Sequence, residues 1–235
     1  MSNLKGKIDD YLLAAQLLIV NCLSDPFIKE ILNNFGYTEE KLTKGRALYD
    51  EVVALNNAQK KEFGEQIAAT EELNELWDRA DRQYMKTLKV ARVALKDVTK
   101  ADRATMLFGT RKESLSGWLE QVQRFYVNLL GAPELIGIMC EYGYTAEKLK
   151  AEAALVEQVA AKNFQQKKEM GEAQAATEAR DKKLDELAAF ISDLRAIAKV
   201  ALNDDPQQLE KLGILARSPG AASRKQAAAG TDAVK

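Results

Sequence analysis

Residues 38–97 read TEEKLTKGRALYDEVVALNNAQKKEFGEQIAATEELNELWDRADRQYMKTLKVARVALKD. The stretch holds no proline and no turn dipeptide. Leu42, Tyr49, Val52, Phe63, Thr70, Trp77, Tyr84, Ala91 and Leu95 recur on one stripe, and Asn56 and Gln59 fill the same phase. Their spacing averages close to 3.5 residues, the seam of a left-handed coiled coil. A continuous helix over this range would be about 90 Å long. The competing arrangement is a hairpin with its apex near Gly64 or Thr70, and the unbroken phase favours the single helix.

Working outward, the chain repeats itself at an offset of 107 residues without a gap. Phe35-Gly36-Tyr37-Thr38-Glu39-Glu40-Lys41-Leu42 falls on Tyr142-Gly143-Tyr144-Thr145-Ala146-Glu147-Lys148-Leu149. Gln59-Lys60-Lys61-Glu62-Phe63-Gly64-Glu65 falls on Gln166-Lys167-Lys168-Glu169-Met170-Gly171-Glu172. The copies span 4–111 and 112–218. The remainder, 219–235, is rich in Ala, Gly, Ser and Lys and reads as a disordered tail. These paired motifs resemble a group of bacterial all-helical proteins with a tandem repeat of about 107 residues and no assigned activity. The resemblance implies a fold and carries over no functional residue.

Each copy opens with an amphipathic stripe at i, i+3, i+4 spacing. The first uses Ile8, Tyr11, Leu12, Ala15, Leu18, Ile19 and Cys22; the second uses Leu115, Trp118, Leu119, Val122, Phe125, Tyr126 and Leu129. A short helix follows, with Pro26 or Pro133 at its first position, where the missing N–H costs nothing. Gly36 and Gly143 suit the left-handed residue that closes it. Thr38 and Thr145 then suit the N-cap of the long helix. Tyr37 with Leu42, and Tyr144 with Leu149, have the spacing of a hydrophobic staple. The expected fold is all-α: two tandem pseudo-symmetric helical units with long antiparallel coiled-coil-like helices in an elongated bundle.

Composition narrows the function. The 235 residues include 34 basic and 35 acidic side chains but no histidine, and two cysteines. The commonest general base and transition-metal ligand is therefore missing, and no disulfide framework or structural zinc site can be built. Neither a G-x-G-x-x-G nor a G-x-x-x-x-G-K-[ST] phosphate loop occurs, nor a G-x-S-x-G elbow. No enzyme, cofactor or metal is expected. The apolar run from Tyr11 to Leu23 is too short for a membrane span. Its recurrence from Trp118 to Leu130 marks it as a structural helix rather than a targeting peptide, and a cytoplasmic location is expected.

Two candidate surfaces remain. Arg82, Lys86, Lys89, Arg92, Lys96, Lys100 and Arg103 follow steps of three or four along one helical face. From Arg79 to Arg103 eight basic and three acidic residues give +5, whereas the equivalent Glu186 to Glu210 has two and five, giving −3. Such a stripe meets nucleic acid or an acidic surface, unless its charge is balanced within the fold. The second surface is the polar middle of the long helices. Asn56, Gln59, Gly64, Asn163, Gln166 and Gly171 read as a register or interaction device, in which polar seam residues fix alignment and glycines let helices approach. Glu62 with Glu65, and Glu169 with Glu172, are i, i+3 carboxylate pairs. Without histidine they read as solvated partners of Lys61 and Lys168. The expected function is a non-enzymatic structural or interaction protein that presents rigid helices to itself or another protein. The alternative is a module that docks an anionic partner on the basic stripe.

Overall fold

The computed structural model describes residues 8–98 and 110–215. Among them are seven helices and no strand: α1 (Ile8–Ser24), α2 (Pro26–Asn34), α3 (Glu39–Ala94), α4 (Leu115–Leu130), α5 (Pro133–Glu141), α6 (Ala146–Ala201) and α7 (Pro206–Lys211). The long helices α3 and α6 are each continuous over 56 residues, so the hairpin does not form. Lys100, Arg103 and the segment 219–235 lie outside the described residues.

The chain packs as two compact units, and these divide it differently from the sequence copies. One comprises residues 1–59 with 176–235; the other is the continuous segment 60–175. Each unit therefore takes part of α3 and part of α6.

In the first unit, α1 buries Leu12, Ala15, Leu18, Ile19 and Cys22, the stripe set by its 3.6-residue period. They meet Leu42, Tyr49 and Val52 of α3 and Leu187, Ile191 and Leu194 of α6 in one core. Each such aliphatic side chain contributes about 1.5–3 kcal/mol on burial. Glu51 pairs with Lys183 at 3.3 Å, and Gln59 accepts a bond from Arg180 at 2.9 Å. Partners whose numbers rise on one helix as they fall on the other set α3 and α6 antiparallel here. The corner before α3 has local causes. The Asp25 carboxylate caps α2 by accepting from the Phe27 and Ile28 N–H groups. Gly36 adopts φ +78°, and the Tyr37 N–H reaches back to the Leu32 carbonyl, a Schellman closure. Thr38 Oγ1 then accepts from the Lys41 N–H, and the Lys41 ammonium lies 3.8 Å from the Tyr37 ring centre.

The second unit repeats these devices. Gly143 also has φ +78°, the Tyr144 N–H bonds to the Met139 carbonyl, and Lys148 lies 3.5 Å from the Tyr144 ring centre. Its core is more aromatic: Trp118, Phe125 and Tyr126 of α4 are buried, with Tyr84 packed edge-on to Phe125 at 5.4 Å and Trp77 edge-on to Trp118 at 6.0 Å. The Trp118 indole donates to Asp81, which Arg111 also holds. Glu72 with Lys162, and Thr70 with Gln166, again pair antiparallel segments.

The stripe of α3 is not uniformly buried. Tyr84, Ala91 and Leu95 are inside, but Phe63 is 51% exposed. Between residues 60 and 68 of α3, and between 160 and 172 of α6, no residue is buried. The seam phase persists there, but two helices alone cover only the narrow strip between them. No single helix among the described residues is long and apolar enough to cross a membrane; α1 and α2 pass that test together but are bent by 90°.

Candidate interaction surfaces

The polar middle distributes its residues over different tasks. Asn56 is buried, but its amide donates to Asp9 at 3.4 Å and so ties α3 to the start of α1. Gln59 and Gln166 make the cross-helix bonds, to Arg180 in the first unit and to Thr70 in the second. Asn163 is half-buried. Gly64 and Gly171 are exposed, and a Cβ added at either would meet nothing within 4 Å. They therefore mark no close approach among the described residues. Glycine in a helix interior costs about 0.5–1 kcal/mol relative to alanine, and no packing among the described residues offsets it.

On the same stretch the carboxylates of Glu62, Glu65 and Glu169 have oxygens within 4.8 Å of one another. Lys61 bonds to Glu65 at 3.1 Å, and Lys168 bonds to Glu172 at 3.3 Å. The hydrogen bond to Glu65, reinforced by the charges of Glu65, Glu62 and Glu169, raises the Lys61 pKa, so a fixed positive charge sits beside the trio. A little further along the unit, Glu72, Glu75, Leu76 and Arg79 of α3 face Gln158, Ala161, Lys162 and Gln165 of α6 across an open groove of about 470 Å³. Charges of both signs line it, and the Glu72–Lys162 pair at 2.6 Å joins its sides.

The basic stripe lies on the outer face of α3 in the same unit. Arg82, Lys86, Lys89, Arg92 and Lys96 are all exposed, and Val93 beside them is 57% exposed. Lys96 approaches Asp97 at 4.0 Å. Among the described residues no ion pair reaches Arg82, Lys86, Lys89 or Arg92. The charge is thus not neutralised by acidic neighbours there, and the field of four cations extends into solvent.

One polar cluster escaped sequence reading. Glu152 is only 8% exposed, and one of its carboxylate oxygens accepts from the Thr87 hydroxyl at 2.6 Å and from the Tyr126 hydroxyl at 2.9 Å. Burial, helped by the Glu152 charge, pushes the Tyr126 phenol well above its ordinary range, so it stays protonated and donates. The signal was present: Glu152 follows Leu149 and precedes Val156 and Val159 at steps of three and four. No family model, curated protein or solved structure matches this chain. Function therefore rests on these surfaces alone.

Proposed function

We propose that this chain is a non-enzymatic interaction protein in which two tandem, pseudo-symmetric helical copies present long rigid helices and associate with further copies of themselves. The observation that supports it is the bare stretch of α3 and α6 in the second unit. Phe63 and Ile67 on one helix and Phe164 and Met170 on the other are 43% exposed or more, in a segment where neither helix buries a side chain. Large apolar side chains on bare helices are the material of helix-to-helix docking. Neither cysteine is matched in the other copy: Cys22 is buried, Cys140 is exposed, and among the described residues no cluster of nucleophile and base supports chemistry. Sedimentation of the full chain from micromolar to high concentration tests the reading. A mass that rises with concentration supports it, and a single-chain mass throughout overturns it.

A second reading is favoured by the unbalanced basic stripe: docking of nucleic acid along α3. Phosphates would replace the counterions that Arg82, Lys86, Lys89 and Arg92 otherwise gather, and affinity would fall steeply with salt. Anisotropy of a labelled duplex oligonucleotide at low and moderate salt tests it. Binding lost on Lys86→Glu with Lys89→Glu supports docking, and no binding at low salt overturns it.

A further inference from the structure

The face of α3 that bears Gly64 has a pattern that fits itself. Lys60, Gly64, Ile67 and Glu71 follow steps of four, three and four, so they lie within about 60° of one another on the helix. All four are exposed, and Ile67 is 43% exposed. The ridge has a base at one end, an acid at the other, a notch where Gly64 lacks a Cβ, and a branched knob at Ile67. Turned end for end, it presents the complementary order.

We infer that this ridge is the contact by which two copies of the chain associate, α3 lying antiparallel on α3 about a two-fold axis between Gly64 and Ile67. In that register each Ile67 faces Gly64 of the second copy, because 64 and 67 are equally far from the axis. Each Lys60 faces Glu71 of the second copy by the same symmetry. An isologous contact of this kind repeats every favourable pair twice and closes at a dimer. It also gives the glycine a task. The open space at Gly64 receives the Ile67 side chain and brings the two backbones close, as small residues do at helix crossings elsewhere. Phe63, half exposed beside the notch, extends the apolar contact. The antiparallel order of charges excludes the parallel alternative, in which Lys60 would face Lys60 and Glu71 would face Glu71. Opposite charges across an interface fix register and direction more than they add affinity.

This rests on the self-associating reading above, and the test separates the two. The full chain is compared by sedimentation with Gly64→Lys, Lys60→Glu, Glu71→Lys and the double variant Lys60→Glu/Glu71→Lys. Gly64→Lys fills space that touches nothing among the described residues and replaces glycine with a better helix former, so circular dichroism should show a fully folded protein. The expected result is a dimer for the parent, a dissociation constant raised at least tenfold for Gly64→Lys, and about fivefold for each single charge reversal. The double variant should return to within about twofold of the parent, since it restores unlike charges across the axis. Self-association of the parent that none of the variants alters overturns this contact and leaves self-association standing. A parent that stays a single chain at every concentration overturns both.

Discussion

The hydroxyl of Thr87 meets the carboxylate of Glu152 at 2.6 Å, joining α3 to α6 inside an otherwise apolar core. Tyr126 of α4 adds a second donor to the same oxygen, so one buried charge fastens three helices. At the 107-residue offset the corresponding residues are Gly45, Leu194 and Ile19, all buried and none able to make such a bond. The two cores reach stability by different chemistry.

Thr87→Val should cost about 1–3 kcal/mol, because it leaves the carboxylate with one donor fewer in a dry site. Tyr126→Phe should cost a similar amount. Glu152→Leu should cost a similar amount, since it strands the buried Tyr126 hydroxyl while Thr87 keeps the Gln83 carbonyl as acceptor at 3.2 Å. Urea unfolding monitored by circular dichroism measures each. The double variant Thr87→Val/Tyr126→Phe should depart from additivity by 0.5 kcal/mol or more, as partners sharing one acceptor do.

Glycines in α3 and α6 should respond to alanine with opposite signs. At Gly45 a Cβ would overlap the Phe190 ring, which packs edge-on to Tyr37. Gly45→Ala should therefore cost about 1–3 kcal/mol by overpacking. Gly64→Ala and Gly171→Ala meet open space and should each stabilise the unassociated chain by about 0.5–1 kcal/mol. Thermal melts at low protein concentration distinguish the two outcomes.

Asp25 should make the α2 corner acid-sensitive. The Ile28 N–H bonded to its carboxylate holds its pKa below the usual range, with Lys211 adding to the effect and partial desolvation opposing it. A carboxyl whose folded pKa lies below its unfolded value stabilises fully above the unfolded value, near ~3.9, and loses that contribution as pH falls through the folded one. Asp25→Ala should thus lower the melting temperature at pH 7 and lower it progressively less below pH ~4. A difference that stayed constant down to pH ~2 would contradict the assignment.

The two thiols should differ sharply in reactivity. Cys22 is fully buried in the core of the first unit, and burial pushes its thiol up to about 12, so almost no thiolate exists at neutral pH. Cys140 is exposed at the end of α5. Treatment of the folded protein with a maleimide at pH ~7.5 should add one label, at Cys140, and denaturant should allow the second. Mass spectrometry of the intact chain reads this directly.

Local rules made much of this architecture legible. Proline, glycine and threonine at fixed offsets specify the corner between α2 and α3 and its copy between α5 and α6, because each acts through its own backbone. The continuity of α3 follows from an uninterrupted seam. What the seam meets is not a local property. Phe63 and Tyr84 share the same phase, yet one is half exposed and the other buried, because only Tyr84 has α4 packed beside it. The same limit hid Glu152: a glutamate in a seam is notable, but Thr87 and Tyr126 lie 65 and 26 residues away. The basic stripe was visible as a pattern of charge, while the absence of ion pairs at Arg82, Lys86, Lys89 and Arg92 among the described residues needed coordinates.

Because each long helix is shared between two cores, the order of synthesis matters. Residues 60–175 are contiguous and include everything their core requires, so this half is able to close while the ribosome is still translating. The other core cannot. Its first 59 residues emerge early, with Leu18, Ile19, Ile28 and Leu32 all destined for the interior, but its remaining strip begins only at residue 176. More than a hundred amino acids must be added before α1 and α2 find Leu187, Ile191 and Leu194. Translation thus leaves α1 and α2 to be sheltered after α4 and α5, and a nascent-chain arrest series would record protection arriving at α1 and α2 after α4 and α5 have already become resistant to protease.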